Sequence, residues 1–301
     1  MRTVIAKEKH QGKKIDKVIW DNFPSLSSGM LFKALRKKDI RVNGIRIKED
    51  YIVSAGDKID IYIIDDFLLG KNDEGYSVVF EDHNILIINK APGVPVHPDK
   101  NQTEGTLIDK LQNTYGSELA LCHRLDRNTS GLVIIAKNNH TLEVMLEKIK
   151  SREVSKYYTC IVSGYMEHKR AELVDYLEKD ENLSRVFISD KRKRDSMEII
   201  TRYEVLRTLE DLSLLQVELV TGRTHQIRAH LAYYGHPIIG DGKYGKNAEN
   251  KIYNAKHQLL CASSLSFDFT SPAGHLGYLK GKTISIEPPF SLEKLAAGRK
   301  A

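Results

Sequence analysis

The chain has 301 residues, of which 41% are hydrophobic, enough to bury one large core and one small core. Lysine and arginine outnumber aspartate and glutamate by 46 to 40, and the resulting net charge of +6 is too small to identify a nucleic-acid-binding protein by itself. The three cysteines, Cys122, Cys160 and Cys261, are widely spaced and odd in number, which argues against a disulfide framework and against a cysteine-based zinc site.

The chain begins with MRTVIAKEKHQGKK, a segment that lacks the apolar core of a signal peptide. No later apolar run approaches the roughly 18 residues that span a bilayer. We therefore expect a cytoplasmic protein with no membrane partner. A monomer is the default expectation for its assembly.

Two short helices are predicted near the start. Residues 12–23 carry apolar side chains at helical spacing, and Pro24 ends this pattern. A second helix is predicted to begin near Ser27 or Ser28 and to have one apolar face and one basic face. The basic face is formed by Lys33, Arg36, Lys37 and Lys38.

A small sheet is predicted after these helices. Asn43-Gly44 can supply the positive φ angles of a tight hairpin turn between two alternating segments. The segment AGDKIDIYI at 55–63 predicts a closing strand. Together these elements predict a small α/β domain at 1–65, followed by an acidic, glycine-containing linker at 66–75.

Strand-like and helix-like patterns alternate irregularly through the rest of the chain. The strand-like runs are SVVFE, NILIINK, GLVIIAK, YYTCIVSG, LSLLQVEL and LCASSLSFDF. Helical patterns are present at 106–115, 140–150 and 224–235. This arrangement predicts an α+β domain at 76–295, built around a mixed but largely antiparallel sheet.

Several common kinds of chemistry are disfavoured by missing motifs. The chain has no GxxxxGK[ST] phosphate loop, no GxGxxG and no HExxH. His225 and His230 are five residues apart, which places them on different faces of a helix and argues against a metal pair. We therefore expect a reaction that uses no nucleotide cofactor and no metal.

Three segments place charged and turn residues beside predicted core: 88–98, 122–137 and 217–231. In the second, Asp126 precedes the turn-rich RNTSG and a buried strand, so its carboxylate is expected at the edge of the sheet. Taken alone, Asp126 is better explained as the side chain of an Asx-turn. Arg228 in the third segment is by the same reasoning a surface residue of an amphipathic helix.

The N-terminal region resembles a known RNA-binding module. LFKALRKKDIRVNG at 31–44 and the later AGDKIDI are similar to an S4 domain, found in certain ribosomal proteins and RNA-modifying enzymes. The resemblance implies that Lys33, Arg36, Lys37 and Lys38 contact the phosphates and the shape of folded RNA. The alternative is that this basic face is only solvated.

The larger region resembles an enzyme family across residues 76–290. HRLDRNTSG is similar to the signature of the RluA-type pseudouridine synthases, whose catalytic aspartate corresponds to Asp126. SKYYTCIV resembles the family's lysine-x-tyrosine segment and indicates Tyr158, while VELVTGRTHQIRAHL indicates Arg228. An S4-like domain before this unit is typical of the C- and D-like branch, which modifies large-subunit ribosomal RNA.

The resemblance implies a set of site residues. Asp126, Tyr158 and Arg228 are the expected catalytic residues, with Arg228 as an ion-pair partner that keeps Asp126 ionised. The target uridine must be flipped out of its stack, and Arg124 is expected to occupy the vacated space. The remaining residues expected to contact the substrate are His123, Leu125 and Leu219.

Alternatives remain open at this point. The favoured RNA partner is 23S ribosomal RNA, and the alternative is transfer RNA. A protein of the same fold that only binds RNA or assists ribosome assembly is a rival, as is a glycoside hydrolase. The hydrolase would need a second carboxylate, for which Asp241 is the candidate.

Overall fold

The computed structural model describes residues 2–23, 26, 28–48, 50–63, 75–98 and 104–299. The side chain of Lys33 lies outside this description, as do residues 66–74 of the predicted linker. The chain divides into two compact units, Met1–Glu74 and Gly75–Ala301. No helix in the described ranges combines the length and the apolar character needed to cross a membrane.

The first unit contains two helices and a four-stranded antiparallel sheet in the order β1-β4-β2-β3. Its elements are β1 (Arg2–Ile5), a 3-10 turn at Glu8–His10, α1 (Ile15–Asn22), α2 (Ser28–Lys37), β2 (Ile40–Val42), β3 (Ile45–Arg46) and β4 (Lys58–Ile61). Asn43 and Gly44 have φ angles of 51° and 80°, as the hairpin turn requires. Apolar side chains of both helices and of the sheet form one core, which includes Ile15, Ile19, Leu31, Ile40 and Ile59.

The second unit is built around one large sheet. Its strands are β5 (Tyr76–Glu81), β6 (Ile85–Lys90), β7 (Ala120–Leu121), β8 (Ser130–Ala136), β9 (Val154–Ser163), β10 (Arg170–Asp180), β11 (Arg185–Ser189), β12 (Met197–Leu209), β13 (Leu212–Leu219), β14 (Leu260–Phe267) and β15 (Thr283–Ser285). Its helices are α3 (Leu107–Tyr115), α4 (Asn139–Lys150), α5 (Gln226–Tyr233), α6 (Asn247–Ile252) and α7 (Leu292–Ala297), with a 3-10 segment at Gly274–Leu279.

The strands of this sheet follow the order β11-β10-β12-β13-β9-β14-β8-β6-β5, with β7 paired to β8 and β15 to β14. The described pairings are antiparallel except that of β14 with β8, which is parallel. The prediction of an α+β domain around a largely antiparallel sheet is therefore confirmed. At the parallel junction, a Cβ on Gly131 would lie 2.3 Å from the carbonyl oxygen of Ala262, so only glycine permits this close approach.

Strand β8 lies in the middle of the core and is buried at every position. Val133 and Ile135 face a cluster that includes side chains of α3 and α5. Leu132 and Ile134 face a second cluster that includes Met145 of α4. A strand covered on both faces reads as a continuous apolar run, which is what SGLVIIA shows. The loop that precedes β8 therefore leads into a strand that is buried along its whole length.

Candidate active site

Asp126 lies in the loop between β7 and β8, shortly before β8 begins at Ser130. The backbone N–H of Thr129 donates to the Asp126 carbonyl at 3.1 Å and closes a turn before β8 begins. Next to it, the Arg127 carbonyl accepts a hydrogen bond from the Gly93 N–H at 2.9 Å, and Arg127 Nε donates back to the Gly93 carbonyl at 3.0 Å. These hydrogen bonds thus link the loop that carries Asp126 to the INKAPG segment at 88–93.

Lys90, at the end of β6, also links these two segments through hydrogen bonds. Its side chain is fully buried, and its Nζ donates to the carbonyls of Ala91, Val94 and Arg127 at 2.8 to 2.9 Å. Burial lowers the pKa of Lys90 to about 7, while the negative charge of Asp126 opposes this shift. Three carbonyl acceptors match the three donors of an ammonium group, so we assign Lys90 a structural role in the Asp126 loop.

Arg228, on α5, connects Asp126 to a second carboxylate. Its Nη1 donates to Asp126 Oδ2 at 2.7 Å, so the expected ion pair is present. Its Nε and Nη2 donate to the two oxygens of Asp241 at 2.6 and 3.0 Å. The Arg228 side chain is only 8% exposed, so the surface position suggested by the helical pattern alone is wrong. The guanidinium is buried because it has two acidic partners.

His225 and Tyr244 complete the surroundings of Asp126. The backbone of His225 is left-handed at φ 55°, which turns the chain into α5 and brings the ring's Nε2 to 4.0 Å from Asp126 Oδ2. Its Nδ1 lies 3.0 Å from the Tyr244 hydroxyl, which also accepts the Val186 N–H at 2.9 Å. Burial lowers the pKa of His225 to about 4, although Asp126 opposes the shift. His225 is therefore neutral at neutral pH.

One cavity of about 270 Å³ opens beside this ion-pair cluster. Its walls include every catalytic-domain residue selected from the sequence: His123, Arg124, Leu125, Asp126, Tyr158, Leu219 and Arg228. The volume is slightly below the roughly 300–1,000 Å³ that small-molecule sites occupy. The cavity can therefore hold one base or another group of similar size.

Tyr158 lies on β9, between β13 and β14, and is 5% exposed. Burial raises its pKa well above the ordinary value, and the charge of Asp126 raises it further. The side chain is therefore a neutral phenol at neutral pH. It lines the cavity and can offer a ring face and a hydroxyl to a ligand.

The other selected residues differ in exposure. His123 Nε2 accepts the backbone N–H of Ile134 at 3.1 Å, and burial lowers the pKa of His123 to about 3, so the ring is neutral. Leu125 is buried and Leu219 is half-buried at the end of β13, whereas Arg124 is exposed. In the first unit, Arg36, Lys37 and Lys38 are exposed at the end of α2. Lys33 cannot be assigned to this face because its side chain lies outside the described residues.

Two features were not predicted: the pairing of Asp241 with Arg228 and the position of Lys156 in the cavity wall. Asp241 is fully buried and does not line the described cavity wall, so it cannot serve as the second carboxylate of a glycoside hydrolase. Lys156 does line the cavity, beside His123. The lysine-x-tyrosine pattern contained Lys156, but only a three-dimensional structure shows that its side chain lines this cavity. The described residues contain no cluster of three or more histidine, cysteine or acidic side chains able to bind a metal.

Comparisons with known proteins identify the family of the chain. The family model described as RNA pseudouridylate synthase matches residues 84–233. Ribosomal large subunit pseudouridine synthase C of Escherichia coli O6:H1 is 30% identical, and the match covers 93% of this chain and 90% of that protein. The uncharacterized RNA pseudouridine synthase YlyB of Bacillus subtilis is 29% identical, over 88% of this chain and 89% of the relative.

A solved structure is similar in fold. Human RNA Pseudouridylate Synthase Domain Containing 4 superimposes with a TM-score of 0.58 at 21% identity, covering 74% of this chain and 92% of that one. A likeness at this identity concerns the fold, while the sequence relatives establish the family. The chain therefore belongs to the RluA-type RNA pseudouridine synthases, enzymes that isomerise uridine in RNA.

Proposed function

We propose that this enzyme converts specific uridines of large-subunit (23S) ribosomal RNA to pseudouridine, with Asp126 as the essential carboxylate. The observation that carries the proposal is the 2.7 Å ion pair between Asp126 and Arg228 at the wall of a cavity that can hold one base. The choice of RNA is supported by relatives similar over most of their length, whose names specify the large ribosomal subunit.

The reaction sets three demands on the site. The bond from uracil N1 to C1′ of the ribose breaks, the base turns, and C5 bonds to C1′ while the C5 proton leaves. A carboxylate must lie near the sugar, the cavity must retain the detached base, and a group must accept the C5 proton. Asp126 supplies the carboxylate, since it is 22% exposed at the cavity and accepts a hydrogen bond from Arg228. Tyr158 lines the same cavity and is the group whose hydroxyl oxygen assists removal of the C5 proton.

The cavity walls also fit an extruded base. Extrusion costs a few kcal/mol, which contacts with the flipped nucleotide must offset. The ring of Tyr158 can stack on uracil, an interaction worth about 1–3 kcal/mol. Leu125 and Leu219 contribute apolar surface to the cavity wall. Arg124 is exposed at the same cavity, where it can enter the space that the uridine leaves in the RNA.

The RNA target is tested by mapping pseudouridine in total RNA from cells with and without the gene. We expect the modification to disappear from one or a few positions of 23S ribosomal RNA, and a plasmid copy of the gene to restore it. A plasmid encoding Asp126→Asn is the matched control and should restore nothing. Loss from transfer RNA, with ribosomal RNA unchanged, would contradict the proposed substrate.

The first unit is proposed to bind RNA through the exposed basic end of α2. We expect Arg36→Gln/Lys37→Gln/Lys38→Gln to weaken RNA binding and to reduce the slope of log affinity against log salt by about 2, since each lost phosphate contact removes roughly 0.7–0.9. Titrations at several salt concentrations measure this slope. The control is a triple glutamine variant of exposed lysines outside the cavity wall: Lys251, Lys280 and Lys294. Equal slopes for the two triple variants would refute the role.

Lys156 is expected to contact a phosphate of the bound nucleotide. Its Nζ lies over the loop at Gly222, and none of the described residues provides it with an acidic or hydrogen-bonding partner. Because burial lowers the pKa of Lys156, a counter-charge arriving with the RNA would favour its ammonium form. A charge-assisted hydrogen bond contributes about 1.5–3 kcal/mol.

We therefore expect Lys156→Met to raise KM about 10-fold or more, with a small effect on kcat at saturating RNA. Steady-state kinetics over a range of RNA concentrations separates the two constants. Lys251→Met, which changes an exposed lysine outside the cavity wall, is the control. An unchanged KM for Lys156→Met would eliminate this phosphate contact.

A further inference from the structure

We infer that Asp241 is a positioning residue of the isomerisation, a permanent counter-ion of Arg228 that allows Asp126 to lose its charge during the reaction. The inference rests on the proposed function of Asp126. It concerns a side chain that is fully buried, outside the cavity wall, and therefore unable to touch the uridine.

The hydrogen bonds show which acid holds the guanidinium. Asp241 takes the paired Nε and Nη2 donors of Arg228, at 2.6 and 3.0 Å, whereas Asp126 takes only Nη1. A two-point contact fixes the plane and the rotation of a guanidinium, and a single contact does not. The direction in which Arg228 presents Nη1 to the cavity is therefore set by Asp241.

Asp241 is itself held rigidly. Its Oδ1 accepts the backbone N–H groups of Lys243 and Tyr244 at 2.8 and 3.0 Å. The side chain of Asn250 bridges the same turn, donating to the Asp241 carbonyl at 3.1 Å and accepting the Gly240 N–H at 2.7 Å. Burial by itself would raise the pKa of Asp241, but the bonds and charge of Arg228 outweigh burial and the net shift is downward. The carboxylate therefore stays charged.

The need for a second acid follows from the chemistry of the first. If Asp126 attacks C1′, it becomes an ester while uracil leaves with the electron pair of the N1–C1′ bond. If it attacks the base, it again becomes an ester and the negative charge moves onto the uracil. If it removes a sugar proton, it becomes a carboxylic acid. In all three routes the carboxylate beside Arg228 becomes neutral.

The net charge of the cluster can be compared for a site that contains only Asp126 and for a site that contains both Asp126 and Asp241. With Asp126 alone, neutralising it would leave a buried guanidinium without a counter-ion, a costly state in a low-dielectric interior. With Asp241 present, the cluster changes from a net charge of −1 to 0, and Arg228 stays paired throughout. Asp241 thus removes a charge penalty from the intermediate without contacting the substrate.

Stability measurements test this idea without relying on activity. The urea unfolding midpoints of the full-length chain are compared for wild type, Asp126→Asn, Asp241→Asn and the double variant. We expect Asp126→Asn to unfold close to wild type, because Arg228 keeps Asp241. The double variant should unfold at far lower urea than the two single shifts predict by addition, because both counter-ions are gone. Additive shifts would overturn the inference.

Kinetics provides the second readout. We expect Asp241→Asn to lower kcat by about 100-fold through misplacement of Arg228, while KM and RNA affinity stay within about twofold of wild type. The matched control is Glu153→Gln, which removes another buried carboxylate, paired with Lys148 at 2.9 Å, and should keep kcat. Similar kcat losses in both variants would show a merely structural role. An inactive wild type would refute the proposed function instead, and the unfolding midpoints of the four proteins would still decide whether Asp241 is the counter-ion that keeps Arg228 paired.

Discussion

Asp126→Asn is expected to abolish isomerisation, lowering kcat by at least about 10⁴-fold, the scale seen when an essential side chain of a catalytic unit is removed. The amide keeps the size of the carboxylate and can still accept the 2.7 Å hydrogen bond from Arg228, but it has no charge with which to attack or to remove a proton. RNA affinity should stay within about twofold of wild type, because phosphate contacts elsewhere provide most of it.

Two assays on the same preparation separate chemistry from binding in this variant. Tritium release from RNA containing 5-tritiated uridine measures the chemical step, and a filter-binding titration measures affinity. Glu287→Gln, which neutralises an exposed carboxylate outside the cavity wall, is the control and should behave as wild type. Release by Asp126→Asn at a tenth of the wild-type rate or faster would show that the carboxylate is not essential.

Arg228→Met is expected to have the second largest effect, on stability as well as on catalysis. It leaves Asp241 as an unpaired charge in the interior, and breaking a buried ion pair in this way costs about 3–5 kcal/mol. It also removes the donor that orients Asp126, for which we expect kcat to fall by roughly 10²–10³-fold. Urea unfolding and single-turnover tritium release measure the two effects.

A conservative variant sharpens this test. Arg228→Lys keeps the positive charge but cannot reproduce a fork that binds Asp241 at two points and Asp126 at a third. We therefore expect it to recover part of the lost stability and little of the lost activity. Wild-type kcat in Arg228→Lys would mean that the site requires a nearby cation and not the geometry of the guanidinium.

Much of the catalytic unit was predictable because its strands are strongly patterned. SGLVIIA has the unbroken apolar character of a strand buried on both faces, and it forms β8. The helix predicted at 224–235 begins only at Gln226, because His225 adopts a left-handed conformation and forms the preceding turn. Strand β1, Arg2–Ile5, was not predicted, since three of its four residues are exposed and no alternation marks it.

Residues of the candidate site were predictable only where they lie in short motifs that resemble those of the family. Asp126 and Arg228 are 102 positions apart, and their pairing came from the family resemblance, not from any local pattern. The pairing of Asp241 with Arg228 could not be recognised, because a turn aspartate in GDGKYG has the same local signature whether or not a distant arginine lies against it. Ion pairs between distant segments of the chain depend on tertiary packing, which periodicity does not encode.

The most direct test of the central claim is to incubate the purified wild-type enzyme with 5-tritiated 23S ribosomal RNA that lacks pseudouridine. Each uridine that is isomerised releases its C5 label once. We predict release that reaches a plateau at a small whole number of labels per RNA, with no release by Asp126→Asn. Wild-type release no greater than that of Asp126→Asn would contradict the proposal that this carboxylate isomerises uridine in ribosomal RNA.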